Sequence, residues 1–499
     1  MMTRTAFERT TPESLGIRSQ AIEHLLDTLE SGFVEPHGLM IMRYGKVCAE
    51  GWWSPYAPGI RHSLQSLTKT YASTAVGIAC TEKLLRLDDK IADLFKDEMP
   101  ENPSENLLKM TVHDVLCMGC GMDKMSGPSG DWIRDFLATE VNHVPGTVFM
   151  YNSTGSSFLG AIVRKLTGLG LHDYLKPRLF DKIGIDADNL RWLHMPDGLE
   201  VGGGGLYATT EDNLRLMKLY ADGGICDGER ILAEEFVKRA TSKQIDTTSE
   251  QKALPEMPDH FVGYGYQIWM CQPEGVYRAD GAMGQFSIVS PDKHMVISIT
   301  QNADGAAETQ RTLDAIWDLI GDVSEDALLE DKASSGRLAS RMNRLALPNP
   351  VYSPYSETAG KINGTKFVVT EGALTWDNPF MAMMGGNRKT SGIEAFTFRF
   401  GSHECELVYL QDNEQKSLNV ALDGSRAHNR ITLHNAPISH VLVCGAWTDD
   451  NAFVLSMRWI ETYYEYKYEF RFDNDAATVF SNNSSMAGKQ SQRVLAVRG

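Results

Sequence analysis

Apolar residues recur at 3.6-residue spacing over Ile22, Leu25, Leu26 and Leu29, which predicts an amphipathic helix over about 20–31 with Ser19 as its N-cap. The period then changes. GLMIMRYGKVCAEGWW reads as two short strands around a Tyr44-Gly45 turn, a β-hairpin. A helix is expected from about Ser66 to Leu85, then the acidic turn Leu87-Asp88-Asp89 and a mainly helical region to about residue 195. Thr209 and Asp212 have capping-box spacing before another amphipathic helix. Strand patterns return in GYGYQIWM and GQFSIVSPDKHMVISITQN, with a turn at Ser290-Pro291-Asp292, and a helix over about 306–321 closes the region. Strands at both ends and helices between them predict an α/β (α+β) sandwich: an antiparallel sheet assembled from distant segments, with a helical subdomain beside it.

The pattern changes again after residue 323. Residues 324–357 are polar and broken by Pro348, Pro350 and Pro354, as expected of a linker carrying one short helix. Beyond it, Tyr464, Tyr466, Tyr468, Phe470 and Phe472 alternate strictly with Glu465, Lys467, Glu469 and Arg471, which makes a half-buried strand with one solvated face. Phe396, Phe398 and Phe400 repeat the period, as do Leu418, Val420 and Leu422. Residues 358–499 therefore read as an all-β domain. A barrel or a sandwich is expected, because one open sheet would leave edges and an apolar face uncovered. The sandwich then occupies residues 1–323.

Composition narrows the partners. With 42% hydrophobic and 23% charged residues the 499-residue chain is that of a folded, soluble protein. A formal charge of −17 with no basic run opposes nucleic acid and anionic bilayers as partners. The first twenty residues hold no apolar core of signal-peptide length, and no apolar run approaches membrane-helix length, so a cytoplasmic location is expected. Eight scattered cysteines are expected as free thiols. Cys117 and Cys120 form a lone CxxC without the second ligand pair a zinc site needs, so core packing is the favoured reading. The Gly202–Gly205 run lacks the preceding strand and following Lys-Ser/Thr of a phosphate loop, and reads as a tight loop.

Three short elements carry chemistry. Ser66-Leu67-Thr68-Lys69 puts a hydroxyl and an amine on one face of a helix start, where a desolvated lysine can help take the serine proton. Alone, the tetrapeptide is as readily a helix start with a solvated lysine. Tyr151-Asn152-Ser153 lies between the Pro145-Gly146 turn and an apolar-striped helix. The tyrosine can act as a base if a cation such as Lys69 favours its phenolate; otherwise it is a packing residue beside a capping serine. Ala279-Asp280-Gly281-Ala282-Met283-Gly284-Gln285 leads into the strand FSIVS. Small residues there let backbone approach a substrate, or simply make a glycine-rich turn.

In this order and at these separations the three elements resemble those of the serine β-lactamase and penicillin-recognising hydrolase superfamily, most closely its class C-like esterase and amidase branch. The resemblance covers about residues 10–322 and extends to LLRLDDKIADLF, KMTVHDVLCMGCGMD, GGGGLYATTEDNLRLMKLYADGG and GYGYQIW. It implies that Ser66 is the acylated nucleophile, that Lys69 and Tyr151 form the proton-transfer pair, and that Ser153 is a hydrogen-bonding partner. The N–H groups of Ser66 and Ala282 would form the oxyanion hole, and Asp280, Gly281 and Gln285 would border the substrate. Two departures stand out. No lysine or histidine occupies the base position of the third motif, where Ala279 precedes Asp280-Gly281, and the family's His-Thr-Ser-Gly-like segment reads Met118-Gly119-Cys120-Gly121.

The resemblance implies a serine hydrolase acting on a small ester or amide through an acyl-enzyme, with no cofactor and no metal. A β-lactamase or a D-amino-acid peptidase or amidase is the catalytic alternative, and a non-catalytic binding module that kept the fold is the rival from another class. Penicillins and cephalosporins are expected to be poor substrates. Their carboxylate would meet Asp280 where the family has a base, unless Arg278 turns inward to compensate; if Asp280 instead points to solvent, the missing base alone weakens carboxylate binding.

Overall fold

The first apolar stripe folds as α1 (Ser19–Leu29), with Ile22, Leu25, Leu26 and Leu29 all buried. Its start differs from the expectation. Ser19 is the first helical residue, and its N–H donates to the Glu13 carboxylate at 2.8 Å, so a negative charge at the positive end of the helix takes the capping role. The hairpin is β1 (Glu35–Arg43) and β2 (Lys46–Trp52); Tyr44 (φ 50°) and Gly45 (φ 75°) both turn left-handed, which matches the twist of the flanking strands. The computed structural model describes residues 6–127, 130–351, 353–377, 392–433, 436–483 and 492–499.

The helix expected from about Ser66 begins slightly later, as α2 (Thr68–Thr81), after a 3-10 turn at Gln65–Leu67. It is buried on nearly every side, as befits the centre of a helical layer, and α3 (Ser153–Thr167) packs along it. The capping box forms as spaced. The Asp212 N–H donates to Thr209 Oγ1 at 3.1 Å, the Thr209 N–H donates to Asp212 Oδ2 at 2.9 Å, and α4 (Thr210–Ala221) follows.

β3 (Trp269–Met270), β4 (Tyr277–Gly281), β5 (Gln285–Ser290) and β6 (Met295–Asn302) complete an antiparallel six-stranded sheet of order β2-β1-β6-β5-β4-β3. Of GYGYQIWM only the last two residues are strand. The rest runs irregularly: Gln267 turns left-handed (φ 57°), and the Tyr266 and Gln267 N–H groups donate to the Ala240 and Leu116 carbonyls, each at 3.2 Å. β1 pairs with β6 across most of the unit, Leu39 opposite Ile299, and α5 (Ala306–Gly321) packs on α1.

The polar segment read as a linker is in part a docked element. Its helix, α6 (Lys332–Met342), buries Leu338 and Met342, packs on α1 and β2, and sends Arg341 to Asp27 (2.7 Å) and Glu30 (2.6 Å). The chain accordingly divides into two compact units at Met1–Ala346 and Leu347–Gly499.

In the second unit the strands are β7 (Lys366–Glu371), β8 (Ile393–Phe400), β9 (Glu404–Gln411), β10 (Glu414–Ala421), β11 (Ala427–Arg430), β12 (His440–Asp449), β13 (Ala452–Trp459), β14 (Glu465–Asp473), β15 (Ala476–Asn483) and β16 (Gln492–Arg498). They pair in the order β10-β9-β8-β7-β16-β15-β14-β13-β12-β11. A further parallel pairing of β10 with β12, at Ala421 and Cys444, closes nine of them into a barrel and leaves β11 on the edge of β12. Of the two expected architectures, the barrel forms. Along β14, Tyr466, Tyr468, Phe470 and Phe472 are buried while Lys467 and Arg471 are exposed. Phe398 meets Phe470 edge-on at 5.0 Å and Phe453 at 5.4 Å, contacts worth about 0.5–1.5 kcal/mol each beyond burial.

All eight cysteines are free, and no helix among the described residues is long and apolar enough to cross a membrane.

Candidate active site

Ser66 sits half-buried in the 3-10 turn that opens α2, and its neighbour Gln65 has φ 51°. A left-handed non-glycine residue costs about 1–2 kcal/mol, so something must hold it. The Gln65 amide donates to Ser63 Oγ at 2.9 Å, and Leu64 is tied at its N–H to the Leu206 carbonyl at 2.9 Å. One turn on, Lys69 is fully buried. Its Nζ donates to Ser66 Oγ at 2.9 Å and to the Gly203 carbonyl. Burial drives the amine down to about 7, against a smaller upward pull from Asp280. Near neutrality the uncharged amine is accessible, and in that form the contact can reverse, the Ser66 hydroxyl donating to Nζ.

Tyr151 is carried by the loop before α3. Asn152 caps that helix, its Oδ1 accepting from the Gly155 N–H at 2.9 Å. The loop is seated on sulfur: the Asn152 N–H donates to Met118 Sδ (3.1 Å) and the Ser153 N–H to Met125 Sδ (3.2 Å). Met118 and Gly121 both take positive φ (64° and 76°), so the departed segment Met118-Gly119-Cys120-Gly121 serves as the bed of the tyrosine loop. The Lys69 Nζ lies 4.8 Å from the Tyr151 ring centre, and Trp269 stacks on that same ring at 5.9 Å. Burial pushes the Tyr151 phenol up, more than its interaction with Ser66 pulls it down. The phenolate considered from sequence is thus disfavoured.

Ser153 is the first residue of α3, half-buried, its carbonyl accepting from Ser157 Oγ at 3.2 Å. That carbonyl would lie 2.3 Å from a Cβ on Gly203, whose own carbonyl accepts from Lys69 and whose N–H donates to Ser157 Oγ at 3.1 Å. The Gly202–Gly205 run is a loop, as expected, but Gly203 is also a site residue. Its signal in the sequence was a glycine run whose close backbone approach had no assigned partner.

The third element reaches Ser66 through Gly281. A Cβ there would stand 2.1 Å from the Leu64 carbonyl and 3.1 Å from the Leu67 nitrogen, so the end of β4 abuts the turn that holds Ser66. Ala282 follows and is exposed. Gln285 is placed differently from the expected substrate border. Fully buried, its Nε2 donates to the carbonyls of Gln301 (2.6 Å), Met283 (3.1 Å) and Ala282 (3.3 Å), which fixes the turn carrying Ala282. We expect Gly281→Ala to cost about 1–3 kcal/mol of stability, because backbone cannot yield as a flexible side chain does. It should also slow labelling of Ser66 by a fluorophosphonate. Wild-type melting and labelling in that variant would show that the approach is not required.

Asp280 has a side chain 11% exposed and pairs with Arg278 Nε at 2.7 Å, strand alternation placing both on one face. Burial pushes the Asp280 carboxyl up, but Arg278 and His260 together hold it below the usual carboxylate range. The bare negative charge expected at this position is therefore matched by a buried guanidinium. His260, 3.6 Å from Asp280, lies flat on Trp269 at 4.1 Å, and Tyr264 meets Trp269 edge-on at 4.7 Å. His260 and Trp269 carry no motif spacing, and neither stood out in the sequence.

Cys117 and Cys120 are buried, and burial pushes the Cys117 thiol up to about 12, which suits packing. No group of three or more His, Cys, Asp or Glu side chains among the described residues could hold a metal ion.

Residues 26–320 match the family model described as Beta-lactamase. The 6-aminohexanoate-dimer hydrolase of Paenarthrobacter ureafaciens is 25% identical over 252 residues, 46% of this chain and 63% of that protein, so the alignment spans less than two thirds of that relative. Penicillin-binding protein 4 of Amycolatopsis lactamdurans is 26% identical over 307 residues, 52% of this chain and 76% of that protein. Among solved structures, one from Bacillus anthracis, provisionally named a 6-aminohexanoate-dimer hydrolase, superposes with a TM-score of 0.51 at 20% identity. It covers 63% of this chain and 87% of that one, a likeness of fold alone.

Proposed function

From a chain that belongs to the Beta-lactamase family, a family of hydrolases, we propose a serine hydrolase that cleaves a small ester or amide through an acyl-enzyme on Ser66. The reading rests on one contact above all: the Lys69 amine, held near 7 by burial, 2.9 Å from Ser66 Oγ. The Gly203 carbonyl takes one N–H of that amine and leaves its lone pair for the serine proton. As Oγ bonds to the substrate carbonyl carbon, the proton passes to Nζ and the carbonyl oxygen becomes an oxyanion between the N–H groups of Ser66 and Ala282. The neutral Tyr151 phenol, raised by burial, relays that proton to the leaving group as the tetrahedral intermediate collapses. Water then adds to the acyl carbon as its proton passes to the same pair, and that proton returns to Oγ as the Oγ–carbon bond breaks and the acid leaves. Relatives named as a hydrolase and as a penicillin-binding protein support hydrolysis and leave the substrate open.

A binding module has no use for a desolvated amine against a serine. A fluorophosphonate should label the wild type and spare Ser66→Ala; absence of label on the wild type would favour the binder.

The third element sets a preference. With Ala279 buried and Arg278 committed to Asp280, no free cation faces a substrate carboxylate from β4. The missing base, rather than repulsion by Asp280, then disfavours β-lactams. Of two esters differing by one carboxylate, the neutral one should have the higher kcat/KM by about tenfold or more, the loss of one charged hydrogen bond. Efficient benzylpenicillin hydrolysis would instead promote the β-lactamase reading. Asp280→Lys is a poor test, because it leaves Arg278 buried and unpaired.

A further inference from the structure

Behind the nucleophile turn lies a buried chain of side chains that the reaction above does not use. Glu35 and His37 stand on β1, and His62 and Ser63 form a two-residue strand just ahead of Gln65. His37 and His62 are buried, and Tyr56 stacks on His37 at 3.8 Å. His62 Nδ1 lies 3.0 Å from the Ser63 carbonyl oxygen, His62 Nε2 lies 2.9 Å from His37 Nδ1, and His37 Nε2 lies 3.1 Å from Glu35 Oε1.

The chain can run in one sense only. A carbonyl only accepts, so His62 Nδ1 carries a hydrogen. Burial and the neighbouring His37 keep His62 neutral, so its Nε2 accepts and His37 Nδ1 donates. The remaining His37 nitrogen then faces a carboxyl oxygen, and a bare nitrogen opposite a carboxylate would be two acceptors in contact. One proton must lie between Glu35 and His37, on either partner.

We propose that Glu35, His37 and His62 are positioning residues, a one-way hydrogen-bond relay that clamps the Ser63 carbonyl and so holds the left-handed Gln65 that aims Ser66 at Lys69. Ser63 is the joint: its carbonyl accepts from His62 and its hydroxyl accepts from the Gln65 amide. No proton passes from the relay to substrate. The proposal rests on Ser66 as the nucleophile.

The test compares His62→Leu with His62→Asn, whose amide can take the place of the Nδ1 donor. Thermal unfolding is followed beside the rate of Ser66 labelling by a fluorophosphonate and the separate kcat and KM of an ester. His62→Leu should slow labelling and kcat by on the order of tenfold to a hundredfold with KM little changed, the cost expected of a misplaced reacting group. His62→Asn should recover most of the loss. If His62→Leu does not fold, Glu35→Leu makes the same measurement at the half-exposed end, with Glu35→Gln as its rescue because a neutral amide donates to His37. ¹⁵N-histidine spectra should show His62 protonated at Nδ1 alone. A folded leucine variant that reacts as fast as wild type, or an asparagine variant no better than leucine, overturns the relay while Ser66 stands. Failure of wild type to label at Ser66 overturns the nucleophile assignment, and the positioning role with it.

Discussion

Replacing Ser66 with alanine is expected to abolish turnover, a loss on the order of a million-fold as in serine hydrolases stripped of their nucleophile, while the fold survives. The reason is local. The Ser66 hydroxyl is half-buried and its partner Lys69 keeps a second acceptor in the Gly203 carbonyl, so removing it opens no large cavity and strands no buried donor. Unfolding temperature should move little. Intact-mass spectrometry during ester turnover should show an acyl adduct on the wild type and none on the variant. Activity within a few-fold of wild type would remove Ser66 from the mechanism.

Lys69→Ala and Tyr151→Phe should each lower kcat by at least roughly a hundredfold, the low end for a positioned acid or base. The double variant should lose much less than the combined effects, because both serve one proton path. Additive losses would assign them to separate steps. The pH dependence separates the two roles. With Lys69 held to about 7, the rate should rise through about pH 7 as Nζ loses its proton, and the limb should vanish in Lys69→Ala. Stability carries the same signature. The ordinary value is 10.5, so between about 7 and 10.5 the unfolded chain binds a proton that the folded chain does not. Stability therefore rises with pH across that window, by up to about 1.4 kcal/mol per unit, and below it the full penalty of charging a buried amine remains. Wild type should gain stability relative to Lys69→Ala as pH rises from 7 to 10. An equal response in both would mean that Lys69 is not desolvated.

Much of this protein was legible from local periodicity. The stripe over Ile22, Leu25, Leu26 and Leu29, the Tyr44-Gly45 hairpin, the Thr209–Asp212 capping box and the Tyr466–Phe472 alternation all formed as read, because each depends on residues a few positions apart. Ser66, Lys69 and Tyr151 lie together in the fold, as helix spacing suggests for the first two and the order of short motifs for the third. Where the reading slipped, other groups had taken the backbone donors: the Glu13 carboxylate capped α1 in place of Ser19, and the Tyr266 and Gln267 N–H groups of GYGYQIWM went to the Ala240 and Leu116 carbonyls.

What tertiary structure alone decided is the chemistry's polarity. Burial sends the Lys69 amine down and the Tyr151 phenol up, which in the proposed mechanism favours the amine as proton acceptor. The approach of Gly203 to the Ser153 carbonyl and of Gly281 to the Leu64 carbonyl, the closing of the Arg278 guanidinium onto a buried Asp280, and His62 behind Gln65 are likewise settled beyond what local spacing records. Periodicity records which side of an element faces the core. Desolvation and directional hydrogen bonds depend on which groups meet there, and that is settled only when segments from across the chain are packed together.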